Sequence, residues 1–223
     1  MIPWERLGAA TVPGGGEMRL MRRGDEYSIR LGVKELMNSR LSGSEEALAN
    51  LACARLQAVA QPRLLIGGLG MGFTLRAALA ALGPAAKIEV AELVPEVAQW
   101  ARAEMAAIFA GSLDDPRVRI EVGDVGRLIG AAAARYDAIL LDVDNGPEGM
   151  TRAANDRLYD ARGLSAARAA LRRGGVLAVW SAAPDRRFTQ RLRDAGFATE
   201  EASSRARGAR GGARHVIWLA TRP

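Results

Sequence analysis

Leu64-Leu65-Ile66-Gly67-Gly68-Leu69-Gly70-Met71-Gly72 is the stretch that decides how this chain folds. Its apolar start reads as a short buried strand, and the glycines read as a tight turn into a helix over 74–82. Glycines at 68, 70 and 72 leave bare backbone where a ligand must come close. Two phosphate-binding patterns fit poorly. The dinucleotide fingerprint wants a small residue after the third glycine, and Phe73 stands there; the Gly-Lys-Ser/Thr ending of a phosphate loop is absent. A ligand loop and a plain strand-to-helix turn both remain open from this stretch alone.

Outward from the loop, the same alternation repeats. Strands are expected over 87–91, 118–122, 138–141 and 176–180, with helices over 97–108, 156–171 and 185–195 between or after them. The run Ala138-Ile139-Leu140-Leu141 is wholly apolar, as a central parallel strand buried on both faces should be. Alternating strands and helices imply an α/β, doubly wound parallel sheet. Two β-like runs, 198–203 and 216–221, are joined by a Gly/Arg-rich turn and read as a terminal antiparallel hairpin. Upstream, 17–38 alternates in short runs broken by turns and predicts a small N-terminal β-meander; Ser44 looks like the N-cap of a helix to about residue 59. The expected division is 1–60 for the meander and helix, and 61–223 for a nucleoside-binding catalytic domain.

Composition narrows the function classes. The 223 residues are 49% hydrophobic and 25% charged, ordinary for a globular chain. Cys53 is alone, so no intramolecular disulfide can form. The N-terminus lacks a signal-peptide pattern, and no run approaches the roughly 18 apolar residues of a membrane span. The reading is a cytoplasmic protein without a membrane partner. The net charge of +6 comes from arginine almost alone, Lys34 and Lys87 being the lysines, which reads as coding bias more readily than as selection for nucleic acid. His215 has no Cys or Ser partner pattern, so neither a histidine triad nor a metal centre is expected.

Four acids carry the chemistry. Glu92 ends the second strand of the expected sheet, where a carboxylate can accept both ribose hydroxyls of a nucleoside. Asp124, after the third strand, can accept an adenine amino group while the backbone N–H of Val125 meets a ring nitrogen; it can equally cap the next helix. The fourth strand ends in Asp142-Val143-Asp144-Asn145-Gly146-Pro147, at the carboxyl edge where open α/β sheets bind ligands. Two acids there favour a cationic acceptor such as an amine, although these residue types also favour a turn. The candidate catalytic residues are Asp142 and Asp144, and Asp144, Asn145 and Tyr159 are the candidates to face the acceptor. Gly68, Gly70, Gly72, Glu92, Asp124, Val125 and Asp142 are the candidates for the nucleoside.

Taken together, 64–76, the Glu92 strand end, Asp115-Pro116-Arg117-Val118, Gly123-Asp124, 136–142 and Arg173-Gly174-Gly175-Val176-Leu177-Ala178 resemble the spermidine synthase family, the polyamine aminopropyltransferases. The resemblance covers most of 63–200. It implies a Rossmann-like sheet of the AdoMet-methyltransferase type, a homodimer, and S-adenosylmethionine (AdoMet) or its decarboxylated form as the nucleoside, with no metal. It also implies that Glu92 is the ribose acid, Asp124 the adenine-side acid, and Asp142 the acid that orients and deprotonates an attacking amine. The chain departs from the family in three places. The acid usual within the glycine loop is missing, the Gln and Tyr of the N-terminal part have no counterpart near 36–50 beyond Asn38, and the acidic stretch after strand four is shortened. Group transfer to a small amine-bearing acceptor is therefore expected. Methyl transfer from intact AdoMet stays open beside it, as does a non-catalytic nucleoside- or RNA-binding role for the arginines at 205, 207, 210 and 214.

Overall fold

The computed structural model describes residues 2–143 and 153–223. Its N-terminal part is a four-stranded antiparallel sheet in sequential order: β1 (Glu5–Thr11), β2 (Glu17–Arg23), β3 (Glu26–Leu31) and β4 (Lys34–Asn38). The predicted meander is present, with β1 added to it. That strand escaped the sequence reading because Gly8, Ala9 and Ala10 blur its alternation. Gly8 is needed there: a Cβ on it would lie 2.5 Å from the indole nitrogen of buried Trp100. This contact fastens the small sheet to the rest of the chain.

The remaining elements are α1 (Gly43–Cys53), β5 (Arg63–Gly67), α2 (Phe73–Ala81), β6 (Lys87–Glu92), α3 (Pro95–Arg102), α4 (Ala106–Phe109), β7 (Val118–Val122), α5 (Val125–Gly130), β8 (Tyr136–Leu141), α6 (Ala153–Tyr159), α7 (Ala161–Ala170), β9 (Leu171–Ser181), α8 (Arg186–Asp194), β10 (Ala198–Arg205) and β11 (Arg214–Thr221). They form one seven-stranded sheet in the order β10-β11-β9-β8-β5-β6-β7. The five strands from β9 to β7 run parallel, and β11 and β10 are antiparallel additions at the β9 edge. The expected terminal hairpin is therefore observed, with its second strand inserted between β9 and its first.

Period-two alternation divides the core in two. Leu64, Ile66, Ala138 and Leu140 face one cluster, shared with α1, α2, α3 and the N-terminal sheet. Leu65, Ile139 and Leu141 face the other, shared with α5, α7 and α8. Burial on both faces explains why β5 and β8 carry unbroken apolar runs.

Three helix boundaries differ from the sequence reading, each for a local reason. The N-cap of α1 is Ser42, and the Ser44 hydroxyl instead donates to the Glu45 carboxylate at 2.7 Å. The helix expected over 97–108 breaks after Arg102, where Ala103 leaves helical geometry (φ −114°, ψ −95°). The helix expected over 156–171 is interrupted at Asp160, whose side chain accepts from Gly163 N–H and starts α7 afresh. Alanine-rich apolar periodicity runs across both breaks and hides them from a pattern reading.

Several acids that carry the family resemblance fasten the scaffold. Asp115 pairs with Arg117 at 2.8 Å, and that guanidinium also donates to the Leu79 and Leu82 carbonyls at the end of α2. Asp137 accepts from Arg63 N–H at 2.8 Å and from the Arg172 guanidinium, joining β5, β8 and β9 away from the carboxyl edge. The Gly/Arg turn between β10 and β11 packs back on α1: Gly43 N–H donates to Ala206 O, and a Cβ on Gly43 would overlap the Gly208 backbone.

Candidate active site

The carboxyl ends of β5, β6, β7 and β8 open into one cavity of about 200 Å³, closed on its far side by the N-terminal sheet. The site forms here because β5 lies where the connections diverge, the chain passing to β6 on one side while β8 sits on the other. Gaps between loops leave a crevice at such a point. Gly68, Gly70, Gly72, Glu92, Asp124, Val125 and Asp142 all line it. These residues are widely separated in sequence, and the structure brings them together.

The loop glycines have left-handed φ values of +91°, +51° and +75° at 68, 70 and 72. What fills the space of their missing side chains is the protein. A Cβ on Gly68 would overlap the Asp142 carbonyl oxygen, one on Gly70 would lie 3.0 Å from the Met37 sulfur, and one on Gly72 would overlap the Phe109 ring. Bare backbone is thus required first by packing and left-handed geometry, before any ligand arrives.

Glu92 is buried and holds the loop in shape. One carboxylate oxygen accepts from Leu69 N–H at 3.0 Å and the other from Val94 N–H at 2.9 Å. Burial raises its pKa, and the backbone donors only partly oppose that. Backbone groups of Gly70 and Leu93 also stabilise the carboxylate. Glu92→Gln leaves one of these N–H groups facing an amide N–H. A charge-assisted bond is worth about 1.5–3 kcal/mol; relief of the buried charge offsets part of that, and ligand-free stability is expected to drop by about 1 kcal/mol in urea unfolding at pH 7. Unchanged stability would show that the carboxylate does not hold the loop.

Asp124 is exposed and caps α5, accepting from Gly126 N–H at 2.7 Å. The capping alternative is therefore realised, and the residue still lines the cavity beside buried Val125.

Asp142 follows β8. Its carboxylate accepts from the Thr74 hydroxyl at 2.6 Å, and its backbone N–H donates to Gly67 O. The same Thr74 hydroxyl lies 3.5 Å from the Glu45 carbonyl oxygen. Thr74 is buried in the first turn of α2, so it ties α1, α2 and the end of β8 together. Burial, and then the nearby charge of Glu45, pushes the Asp142 carboxyl up to about 7. Glu45 is itself pushed up, by burial first, with Glu46 adding to it.

Glu45 is the site residue that sequence reasoning missed. It lies in the first turn of α1, where an acid needs no explanation beyond the helix dipole. Only the packing of α1 on α2 brings it to the cavity wall beside Asp142. Tyr159 is placed differently from the other candidates. It is buried with its ring edge-on to Phe188 at 5.6 Å, its hydroxyl is 3.5 Å from the Val143 carbonyl, and it does not line the cavity. Asp144 and Asn145 lie outside the described residues. Trp180, at the end of β9, lines the cavity and meets His215 edge-on at 4.9 Å.

Among the described residues, no group of three or more His, Cys, Asp or Glu side chains is placed to hold a metal ion. No described helix is long and apolar enough to cross a membrane.

A parallel sheet with an antiparallel hairpin at one edge, a glycine loop after β5 and an acid ending β6 make this a Rossmann-like fold of the AdoMet-methyltransferase type. The O-methyltransferase TomG from Streptomyces achromogenes, solved with SAM, matches with a TM-score of 0.55 at 18% identity, covering 79% of each chain. Within that class the chain is similar in fold to solved spermidine synthases. The spermidine synthase from Thermotoga maritima matches 98% of this chain and 73% of its own, with a TM-score of 0.77 at 18% identity, N-terminal sheet included. By sequence, the polyamine aminopropyltransferase of Mycobacterium tuberculosis is 30% identical over 193 residues, 82% of this chain and 35% of the relative. That of Korarchaeum cryptofilum is 30% identical over 118 residues, 53% of this chain and 34% of the relative. The matches thus span about a third of the length of these curated relatives. No protein-family model matches the chain.

Proposed function

We propose that the protein transfers an alkyl group, an aminopropyl group in the first instance, from an AdoMet-type sulfonium nucleoside to a small amine acceptor. The observation that carries this reading is the convergence of Glu92, Asp142 and Glu45 on one cavity beside the glycine loop. A solved spermidine synthase that shares this fold, with a TM-score of 0.75 at 18% identity, is described in complex with the transition-state analogue AdoDATO. Decarboxylated AdoMet is the donor this supports. In this reading Glu92 takes the ribose hydroxyls, and Asp124 and the Val125 backbone take the adenine edge.

The sulfonium supplies a carbon already activated for displacement. The chain's task is alignment and proton transfer. A protonated alkylamine has no lone pair to give, and freeing it at pH 7 costs about 4–5 kcal/mol. Ionised Asp142 draws in the ammonium, orients it and takes one proton from it, which frees the nitrogen lone pair for attack. The nitrogen lone pair bonds to carbon as the carbon–sulfur bond breaks, and that pair stays on sulfur as a neutral thioether.

Methyl transfer from intact AdoMet is the second reading, favoured by the Leu69-Gly70-Met71 centre of the loop, which lacks the acid the family carries there. Glu45 weighs against it. A methionine carboxylate at this end of the cavity would meet two carboxyl groups, whereas an ammonium would be drawn to them. Calorimetry with AdoMet and decarboxylated AdoMet separates the two. Decarboxylated AdoMet is expected to bind at least tenfold tighter, and a clear preference for AdoMet would overturn the aminopropyl reading. A homodimer in the cytoplasm completes the proposal, checked by light scattering and fractionation.

A further inference from the structure

The cavity has two chemically different walls. The sheet side carries the carboxyl groups of Glu92, Asp124 and Asp142, with Glu45 beside Asp142. The wall built by the N-terminal sheet presents Val12, Met18, Ile29, Leu31, Leu36 and Met37. Ile29 is fully buried, while Leu31, Leu36 and Met37 keep partial exposure. This wall stands close to the chemistry, because the Met37 sulfur occupies the space over Gly70. The charge at one end therefore meets hydrocarbon within a single small enclosure.

We propose that the acceptor is a primary amine borne on an apolar stem, its nitrogen held by Glu45 and Asp142 and its stem lying along the N-terminal sheet. The inference rests on the group-transfer reading and names its acceptor class. In that reading the polar edges of a nucleoside are served by Glu92, Asp124 and backbone groups on the β6 and β7 side, and the stem takes the wall opposite. Each methylene covered is worth about fourfold in affinity. A second ammonium, as on a diamine, would be pressed against side chains that cannot pair with it and would lose its hydration.

The test uses the full chain and decarboxylated AdoMet, with release of 5′-methylthioadenosine as the readout. n-Butylamine, n-hexylamine and 1,4-diaminobutane are compared by kcat/KM, and donor binding is measured separately by calorimetry. Hexylamine is expected to exceed butylamine by roughly fifteenfold, from about fourfold for each of two methylenes, and to exceed the diamine by at least as much. Leu36→Asp adds a carboxylate to the wall and is expected to shift the ratio at least tenfold toward the diamine, with donor affinity kept. If the donor binds but the diamine is preferred, if no amine reacts, or if Leu36→Asp leaves the ratio unmoved, the inference is overturned while the nucleoside site stands. If neither AdoMet nor its decarboxylated form binds, the group-transfer reading fails and takes the inference with it.

Discussion

Asp142→Asn is expected to lower turnover by roughly 10²–10⁴-fold while leaving nucleoside affinity within a few-fold of wild type. The substitution keeps an oxygen for the Thr74 hydroxyl, so the tie between α2 and the end of β8 survives. What it removes is the charge that draws in the amine and the base that takes its proton. Equal losses in turnover and nucleoside binding would make Asp142 a nucleoside ligand or a structural residue. The pH dependence adds a second handle. Asp142 must be ionised to act, and its carboxyl is raised to about 7, so the rate should climb as pH rises through that value. Glu45→Gln removes one cause of the shift and should move this limb to lower pH.

The same shift has a signature in stability. An acid whose folded pKa exceeds its unfolded value binds more protons when folded. The stability it contributes is full below the unfolded pKa of about 4 and is lost as pH rises through the folded value. Ligand-free Asp142→Asn should therefore melt higher than wild type at pH 8, by an amount worth at most a few kcal/mol, and the difference should vanish near pH 4. A melting point that falls at pH 8 would show that the carboxylate is stabilised by a partner, contrary to its burial beside Glu45.

Gly68→Ala is expected to be among the most destabilising single changes in the chain. The backbone there has φ +91°, and a Cβ would overlap the Asp142 carbonyl, which belongs to the backbone leaving β8 and cannot swing aside as a side chain would. Left-handed geometry costs a non-glycine residue about 1–2 kcal/mol and overpacking another 1–3. A total of about 3 kcal/mol lowers Tm by roughly 6–12 °C in a protein of this size. Gly174→Ala is the control, because Gly174 has φ +76° with no heavy atom near its Cβ position. Its cost isolates the backbone part. Equal losses at the two positions would mean that the end of β8 yields easily, and Asp142 would then not be held in a fixed place.

The sheet and most of the cavity's polar side were legible in the sequence because their signals are local. Leu64–Ile66 followed by glycines marks β5, the Glu92 position follows from strand length, and the apolar run 138–141 marks a strand buried on both faces. Glu45 was not legible, since an acid in the first turn of a helix is what the dipole alone would select. Its role depends on Thr74 joining α1 to α2 and to Asp142, a link made only by tertiary packing. Asp124 was ambiguous in sequence and stays dual in structure, since a cap can also face a cavity. Tyr159 was suggested by its place near the start of the helix expected after the Gly146-Pro147 loop; in the structure it ends α6 with its ring edge-on to Phe188.

The neighbours that fill the space beside Gly68, Gly70 and Gly72 have a thermodynamic consequence. A glycine loop normally keeps much of its conformational freedom until a ligand orders it. Here the Asp142 backbone, Met37 and Phe109 have already removed that freedom during folding. Nucleoside association should then carry little entropy loss from the loop, and amide exchange at 68–72 should be slow before any ligand is added.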